Sequence, residues 1–227
     1  MIDRRKLLGA ATLGAAGLAA TACSQSNTEA DGVTSPAVRR RKTRLTMTTP
    51  WPKDLPGLGA AAQRVADRVS DLSEGQMEIQ VNAAGELVPA FEAVDAVASG
   101  NADMYHGADY YWLSKSKAYN FFTAVPMGMT ATEIMGWIDF GGGQALWEEL
   151  SGQYGIIAFQ GAITGLQMGG WFREEIISLD DFRGLKMRIP GLGGDVVREL
   201  GGAAETLAGN EIYQALQTGR IDATEWV

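Results

Sequence analysis

Apolar positions recur along this chain with two periods, and the switching between them sets the predicted elements. Leu45-Thr46-Met47-Thr48-Thr49 reads as a strand and is stopped by Pro50-Trp51-Pro52. Gly57 to Leu72 places Leu58, Ala61, Ala62, Val65, Val69 and Leu72 at helical spacing and ends near Gly75. Met77 to Val81 alternates as a strand, and Phe91 to Ser99 sets Phe91, Val94 and Ala98 on one helical face before Gly100. Ala102 to His106 is strand-like. Glu133 to Leu150 is helical but carries Gly141-Gly142-Gly143, which predicts two helices. Ile156 to Phe159 predicts a buried strand, Gln167 to Phe172 another, and Lys186 to Ile189 a third that runs into Pro190-Gly191. Val196 to Leu200 and Glu211 to Gln217 read as helices, and Ile221 to Trp226 opens a strand. Strands and helices in alternation predict an α/β architecture with mixed or parallel sheets.

One phrase of this pattern occurs twice. Ala93 to Asp103 and Ile212 to Asp222 each give an apolar-striped helix, a small hydroxyl residue, a glycine, two residues and an aspartate opening a strand. The glycines, Gly100 and Gly219, suit the left-handed end of a helix. Helix–Gly–strand is common in α/β proteins. The repeat also fits two similar lobes, each turning the start of this strand toward a shared cleft.

Composition changes the picture mainly by exclusion. The 227 residues are 46% hydrophobic and 20% charged, with a net charge of −8, and no Lys/Arg stripe suited to nucleic acid lies along them. The basic cluster Arg39-Arg40-Arg41-Lys42-Thr43-Arg44 reads as a solvated charge run in a linker. Residues 1–22 read as an export signal. Arg4-Arg5-Lys6 precedes a Gly/Ala/Leu run too short to span a bilayer, and Ala20-Thr21-Ala22 offers a small-residue cleavage site. Cys23, the only cysteine, excludes an internal disulfide. Residues 23–43 form a polar tether, 44–160 mainly one lobe and 161–227 mainly a second.

Familiar catalytic sets are missing. His106 is the single histidine, so neither a multi-histidine metal site nor His-Glu-x-x-His can be built, and it reads as a packed, hydrogen-bonded residue. Gly141-Gly142-Gly143 lacks the Lys-Ser/Thr of a phosphate loop, and Gly191-Leu192-Gly193-Gly194 lacks the third glycine of a dinucleotide fingerprint. Arg188 stands out. Lying between Met187 and Ile189 in a strand, it points away from both, and its planar fork suits a carboxylate. By residues alone it either clamps a bound carboxylate or pairs with one of the 27 acids of the chain.

Several stretches together resemble a known family. They are GLKMRIPGLGGDVVRELGG (Gly184 to Gly202), GNEIYQALQTGRIDATEWV (Gly209 to Val227), LQMGGWF (Leu166 to Phe172) and ASGNADMYHGADYYW (Ala98 to Trp112). In this order they resemble the extracytoplasmic solute-binding proteins of tripartite ATP-independent periplasmic (TRAP) transporters, in the branch binding 2-oxo acids and related monocarboxylates. The resemblance runs from about Leu45 to the last residue. It implies a two-lobed α/β periplasmic-binding-protein-like fold with an incomplete second lobe, a C-terminally truncated chain of poor independent stability, and no enzyme activity. Arg188 would be the carboxylate clamp. Gln167 and Glu225 would give side-chain oxygens, and Trp226 its carbonyl, to Na⁺ or Ca²⁺ bridging the substrate; charge counting leans to Na⁺. Tyr105, Tyr111 and Trp226 would wall the pocket, and Asn210 would be a polar contact. No organic cofactor is implied, and the partners would be the TRAP membrane subunits. The arginine pair Arg4-Arg5 resembles a Tat export signal, and the setting of Cys23 resembles a lipobox, implying a lipid anchor.

Two other functions stay open on sequence. A ligand sensor for a membrane receptor would use the same fold. An exported hydrolase or lyase is disfavoured by one histidine and no nucleophile motif.

Overall fold

The computed structural model describes residues 42–226. The export signal, Cys23 and nearly all of the tether lie outside the described residues.

The first lobe is built on β1 (Thr43–Thr48), α1 (Leu58–Leu72), β2 (Met77–Asn82), α2 (Ala93–Ala98) and β3 (Met104–Tyr105). The strands form a parallel sheet in the order β2-β1-β3, with Thr48 opposite both Asn82 and Tyr105. Small residues on α1 (Gly59, Ala61, Ala62 and Ala66) are its buried positions, which allows close packing. At Gly59 a Cβ would sit 2.4 Å from the Pro52 carbonyl oxygen, so only glycine lets the helix start against that turn. A 3₁₀ turn at Asp109–Trp112 and another at Lys117–Phe122 follow β3. Their Trp112 and Tyr119 join Ala93 and Val94 in the lobe's core.

The predicted break at Gly141-Gly142-Gly143 separates α3 (Ala131–Phe140) from α4 (Gly143–Gly152), with Gly142 left-handed at φ 87°. Thr130 starts α3 with a reciprocal cap. Glu133 accepts from the Thr130 N–H at 2.8 Å, and the Thr130 hydroxyl accepts from the Glu133 N–H at 3.4 Å. Phe122 stacks between Trp137 and Trp147, with ring centroids 5.5 and 5.4 Å away, fixing both helices to the second turn.

The second lobe carries β4 (Trp171–Phe172), β5 (Lys186–Arg188), α5 (Gly191–Glu199), β6 (Ala203–Glu205), α6 (Ile212–Gln217) and β7 (Ala223–Thr224). The sheet order is β4-β7-β5-β6, parallel except that β4 runs antiparallel to β7. Met187, Val197 and Ala223 form the core between this sheet and α5.

The repeated phrase becomes a repeated structure. β1-α1-β2-α2-β3 and β5-α5-β6-α6-β7 have the same connection and the same strand order, with the first strand central. Ser99 and Thr218 close their helices by donating to the Asp95 and Gln214 carbonyls at 2.8 and 2.9 Å. Gly100 and Gly219 turn left-handed at φ 78° and 71°. Asp103 and Asp222 then each grip the central strand twice. Their N–H groups donate to the Thr46 and Lys186 carbonyls, and their carboxylates accept the N–H groups of the same two residues. In this correspondence Thr48 matches Arg188, and His106 matches Glu225.

Several predicted boundaries are corrected. Thr43 and Arg44 of the basic run belong to β1 rather than to a linker, and Lys42 and Arg44 pair with Glu78. Ile156 to Phe159 is not a buried strand: it has no strand partner among the described residues, and Ile157 and Phe159 are 71% and 73% exposed. The strand expected from Gln167 is confined to Trp171–Phe172, and the helix expected from Val196 already starts at Gly191.

Candidate functional site

The end of β5 brings Arg188 out of the sheet, and the end of β7 brings Glu225 beside it. Thr224 lies opposite Arg188, and the Glu225 N–H donates to the Arg188 carbonyl at 2.9 Å. This register makes two residues that are distant in sequence into neighbours. Arg188 is 1% exposed and Glu225 7%.

The guanidinium is held on most of its edge. Nε donates to the Leu207 carbonyl at 3.1 Å, and Nη1 donates to the Glu225 carbonyl at 2.9 Å and to Glu225 Oε2 at 3.0 Å. Nη2 is buried and has no partner. Leaving a charged donor unsatisfied in the interior costs free energy that a bound acceptor would recover, most fully a carboxylate. So the two readings of Arg188 are joined here: it pairs with an acid of the chain and still presents an open donor. The guanidinium carbon also lies 5.0 Å from the ring centroid of Trp226, an attractive cation–π distance.

Burial pushes the Glu225 carboxyl above the usual range, and the Arg188 charge and hydrogen bond pull against that rise without cancelling it. A second positive charge beside Glu225 would favour its ionised form. Among the described residues no group of three or more His, Cys, Asp or Glu could hold a metal ion. A cation resting on the Glu225 carboxylate and neutral oxygens would have a donor set suited to a hard ion.

The other sequence-predicted residues are distributed unevenly. Trp226 is half-buried, and its ring edge is seated on Gly209, where a Cβ would lie 2.7 Å from Cη2. Asn210 follows that seat and is exposed. Gln167 is exposed on the irregular segment before β4. It lies four residues before Trp171, the residue of β4 that pairs with Thr224 of β7. Tyr111 is half-buried, 4.8 Å from Tyr110 and 5.0 Å from Phe91 between ring centroids. Tyr105 is placed differently from a pocket wall. Its ring packs edge-on against Trp112 in the core of the first lobe, and its hydroxyl donates to Asp109. His106 stands edge-on to Trp51 at 5.8 Å, and burial lowers its pKa, so neutral imidazole is favoured.

Two residues of the region were not identified from sequence. Tyr110 is buried enough to push its hydroxyl pKa well above the ordinary value; Tyr111 and the Glu225 charge add to this, and Arg188 opposes it. Tyr110 thus stands within electrostatic reach of the Arg188–Glu225 pair from the other lobe. Asn120 is fully buried and accepts the Leu192 N–H at 3.1 Å. The Tyr110-Tyr111 doublet was a visible signal. Asn120 gave none, since its partner is a backbone amide 72 residues away.

Comparison with known proteins gives this geometry a family. The model of the bacterial extracellular solute-binding protein family 7 matches residues 48–227. A monocarboxylate 2-oxoacid-binding periplasmic protein of Nostoc sp. is 44% identical over 226 residues, covering 100% of this chain and 60% of the relative. Among solved structures, a TRAP periplasmic solute-binding protein from Pseudoalteromonas atlantica with bound sodium and pyruvate is 43% identical with a TM-score of 0.79. It matches over 82% of this chain and 57% of its own. A counterpart from Colwellia psychrerythraea with bound calcium and pyruvate is 41% identical with a TM-score of 0.79, over the same shares. The chain spans somewhat over half the length of these relatives. With that match, the chain belongs to the bacterial extracellular solute-binding protein family 7.

Proposed function

We propose that this protein binds a small 2-oxo or 2-hydroxy monocarboxylate outside the cytoplasm, with a bridging Na⁺ or Ca²⁺, and delivers it to TRAP membrane subunits. The observation that carries the reading is the unpaired, buried Nη2 of Arg188 beside Glu225. The relatives that bind pyruvate with sodium or calcium supply the ligand class.

In this reading Nη2 takes one carboxylate oxygen of the ligand. Glu225, the Gln167 amide oxygen and the Trp226 carbonyl hold the cation, which when bound neutralises charge between protein and substrate. Tyr111 and Trp226 wall the ligand and Asn210 borders it. Tyr105 supports the wall from the core, because its hydroxyl is already donated to Asp109. Residues 1–22 direct export and Cys23 carries a lipid anchor; an intact mass showing unmodified Cys23 in the mature protein would remove the anchor.

Titration calorimetry with pyruvate tests the reading. Tight binding in Na⁺ or Ca²⁺ is expected, with a loss of about 100-fold in Arg188→Ala, the scale for removing a buried charged hydrogen-bond partner. No heat at any cation concentration would end the assignment. Glu225 adds a pH signature. Because its pKa is raised by burial, a cation must displace its proton at low pH, so cation affinity should climb as pH rises through that pKa and then level. Glu225→Gln should abolish the slope.

A further inference from the structure

The two lobes meet at the first turn of α5, and the contact is built from both sides. α5 begins after Pro190, which offers no side-chain cap. The acceptor for its Leu192 N–H comes from the other lobe, from Asn120 Oδ1 at 3.1 Å. Asn120 is itself fixed in the 3₁₀ turn Lys117–Phe122, donating from Nδ2 to the Lys117 carbonyl at 3.0 Å, and it is fully buried. Gly191 makes the approach possible. Its φ is 64°, and a Cβ there would lie 2.7 Å from Asn120 Oδ1 and 3.1 Å from Tyr110 Cβ. Lys117 and Asp195 add a second link at 3.4 Å, exposed enough to contribute little.

This contact borders the ligand site on both sides. Gly191 is three residues from Arg188, whose strand runs directly into α5. Tyr110 of the first lobe stands against Gly191, where a Cβ would lie 3.1 Å from Tyr110 Cβ, three residues beyond Arg188. We infer that Asn120 is a positioning residue: it clasps the first lobe to the start of α5, and so holds Tyr110 and Arg188 at a fixed separation around the ligand. The interaction is a fully buried hydrogen bond between the two lobes, so it favours the arrangement that holds them together, which in the proposed binding mode is the one that retains ligand. Its loss should act on escape of ligand more than on encounter.

The inference rests on the proposed ligand class, and the experiment separates the two. Stopped-flow fluorescence with pyruvate and Na⁺ on the full chain should show dissociation about tenfold faster in Asn120→Ala, the effect of one buried hydrogen bond, with association within about twofold. Asn120→Asp keeps the acceptor for Leu192 and loses the donor to Lys117, so it should restore slow dissociation. An aspartate variant as fast as the alanine variant would overturn the clasp, since the Lys117 bond would then be the one that matters. Gly191→Ala attacks the same contact from the other lobe and should reproduce the fast dissociation, which covers an Asn120→Ala protein that fails to fold. Unchanged dissociation in both would overturn the inference. If the unmutated chain binds no pyruvate, the proposed function falls by itself. The clasp is then read from small-angle scattering of the ligand-free proteins: a larger radius of gyration in Gly191→Ala and Asn120→Ala supports it, and equal radii overturn it.

Discussion

Asp109 shows how one buried side chain can set a pH dependence of stability. It is 3% exposed, accepts from Trp147 Nε1 at 2.6 Å and from the Tyr105 hydroxyl, and joins β3, the 3₁₀ turn after it and α4. Burial raises its carboxyl from 3.8 to about 6, although both donors favour the ionised form. A carboxyl raised on folding contributes stability that is fully present below about pH 4 and is lost as pH climbs through about 6. At about 1.36 kcal/mol per unit the loss is on the order of 3 kcal/mol. Urea unfolding should therefore show a higher midpoint at pH 4.5 than at pH 7.5, and Asp109→Asn should flatten most of that difference. An equal slope in both proteins would show that other groups set it. At Arg188, by contrast, what remains open is one pair of hydrogen-bond donors.

At the scale of elements, the second sheet depends on close backbone approach at Gly170. With φ at 154°, a Cβ there would meet Met187 Cε at 2.6 Å and the Thr224 carbonyl oxygen at 3.2 Å. Gly170→Ala should destabilise by about 1–3 kcal/mol, read as a lower urea midpoint, because the Thr224 oxygen is backbone and cannot yield as Met187 can. An unchanged midpoint would mean that the segment before β4 is free to shift. Legibility from sequence follows the same division. α1, β2 and the α3/α4 break were readable because their periodicity extends over enough residues. β6 is not predicted at all: Ala203–Glu205 is three residues, Ala-Ala-Glu, of types that strands disfavour. Ile156 to Phe159 was read as buried because it is apolar and β-branched, yet burial needs a neighbouring surface, which composition does not report. For the candidate site, Arg188 stood out by its chemistry and Glu225 and Trp226 through the family resemblance, and the structure sets those three side by side. Asn120 was not legible, because the amide it accepts from is a lobe away, and Tyr110 was visible only as half of a tyrosine doublet.

For the whole molecule, the run from Ile157 to Met168 carries Ile157, Phe159, Ile163, Leu166 and Met168, all exposed. Apolar surface of that extent binds hydrophobic dyes and other copies of a chain. A strong anilinonaphthalene sulfonate signal is expected, and Ile157→Ser with Phe159→Ser should reduce it while leaving the far-ultraviolet dichroism unchanged. No dye signal from the unmutated chain would contradict the exposure. The pairing of β7 with β5 has a consequence of another kind. Arg188 and Glu225 stand 37 positions apart, and the two-residue strand Ala223–Thr224, with the Asp222–Lys186 and Glu225–Arg188 backbone bonds at its two ends, indexes one to the other. Adding or deleting one residue between Gly219 and Asp222 would slide Thr224 or Trp226 into the place of Glu225 and turn the side chains over. Chain length within that turn is therefore inherited along with the site. In descendants of this sequence, substitutions in the Gly219–Asp222 turn should accumulate far more readily than insertions or deletions.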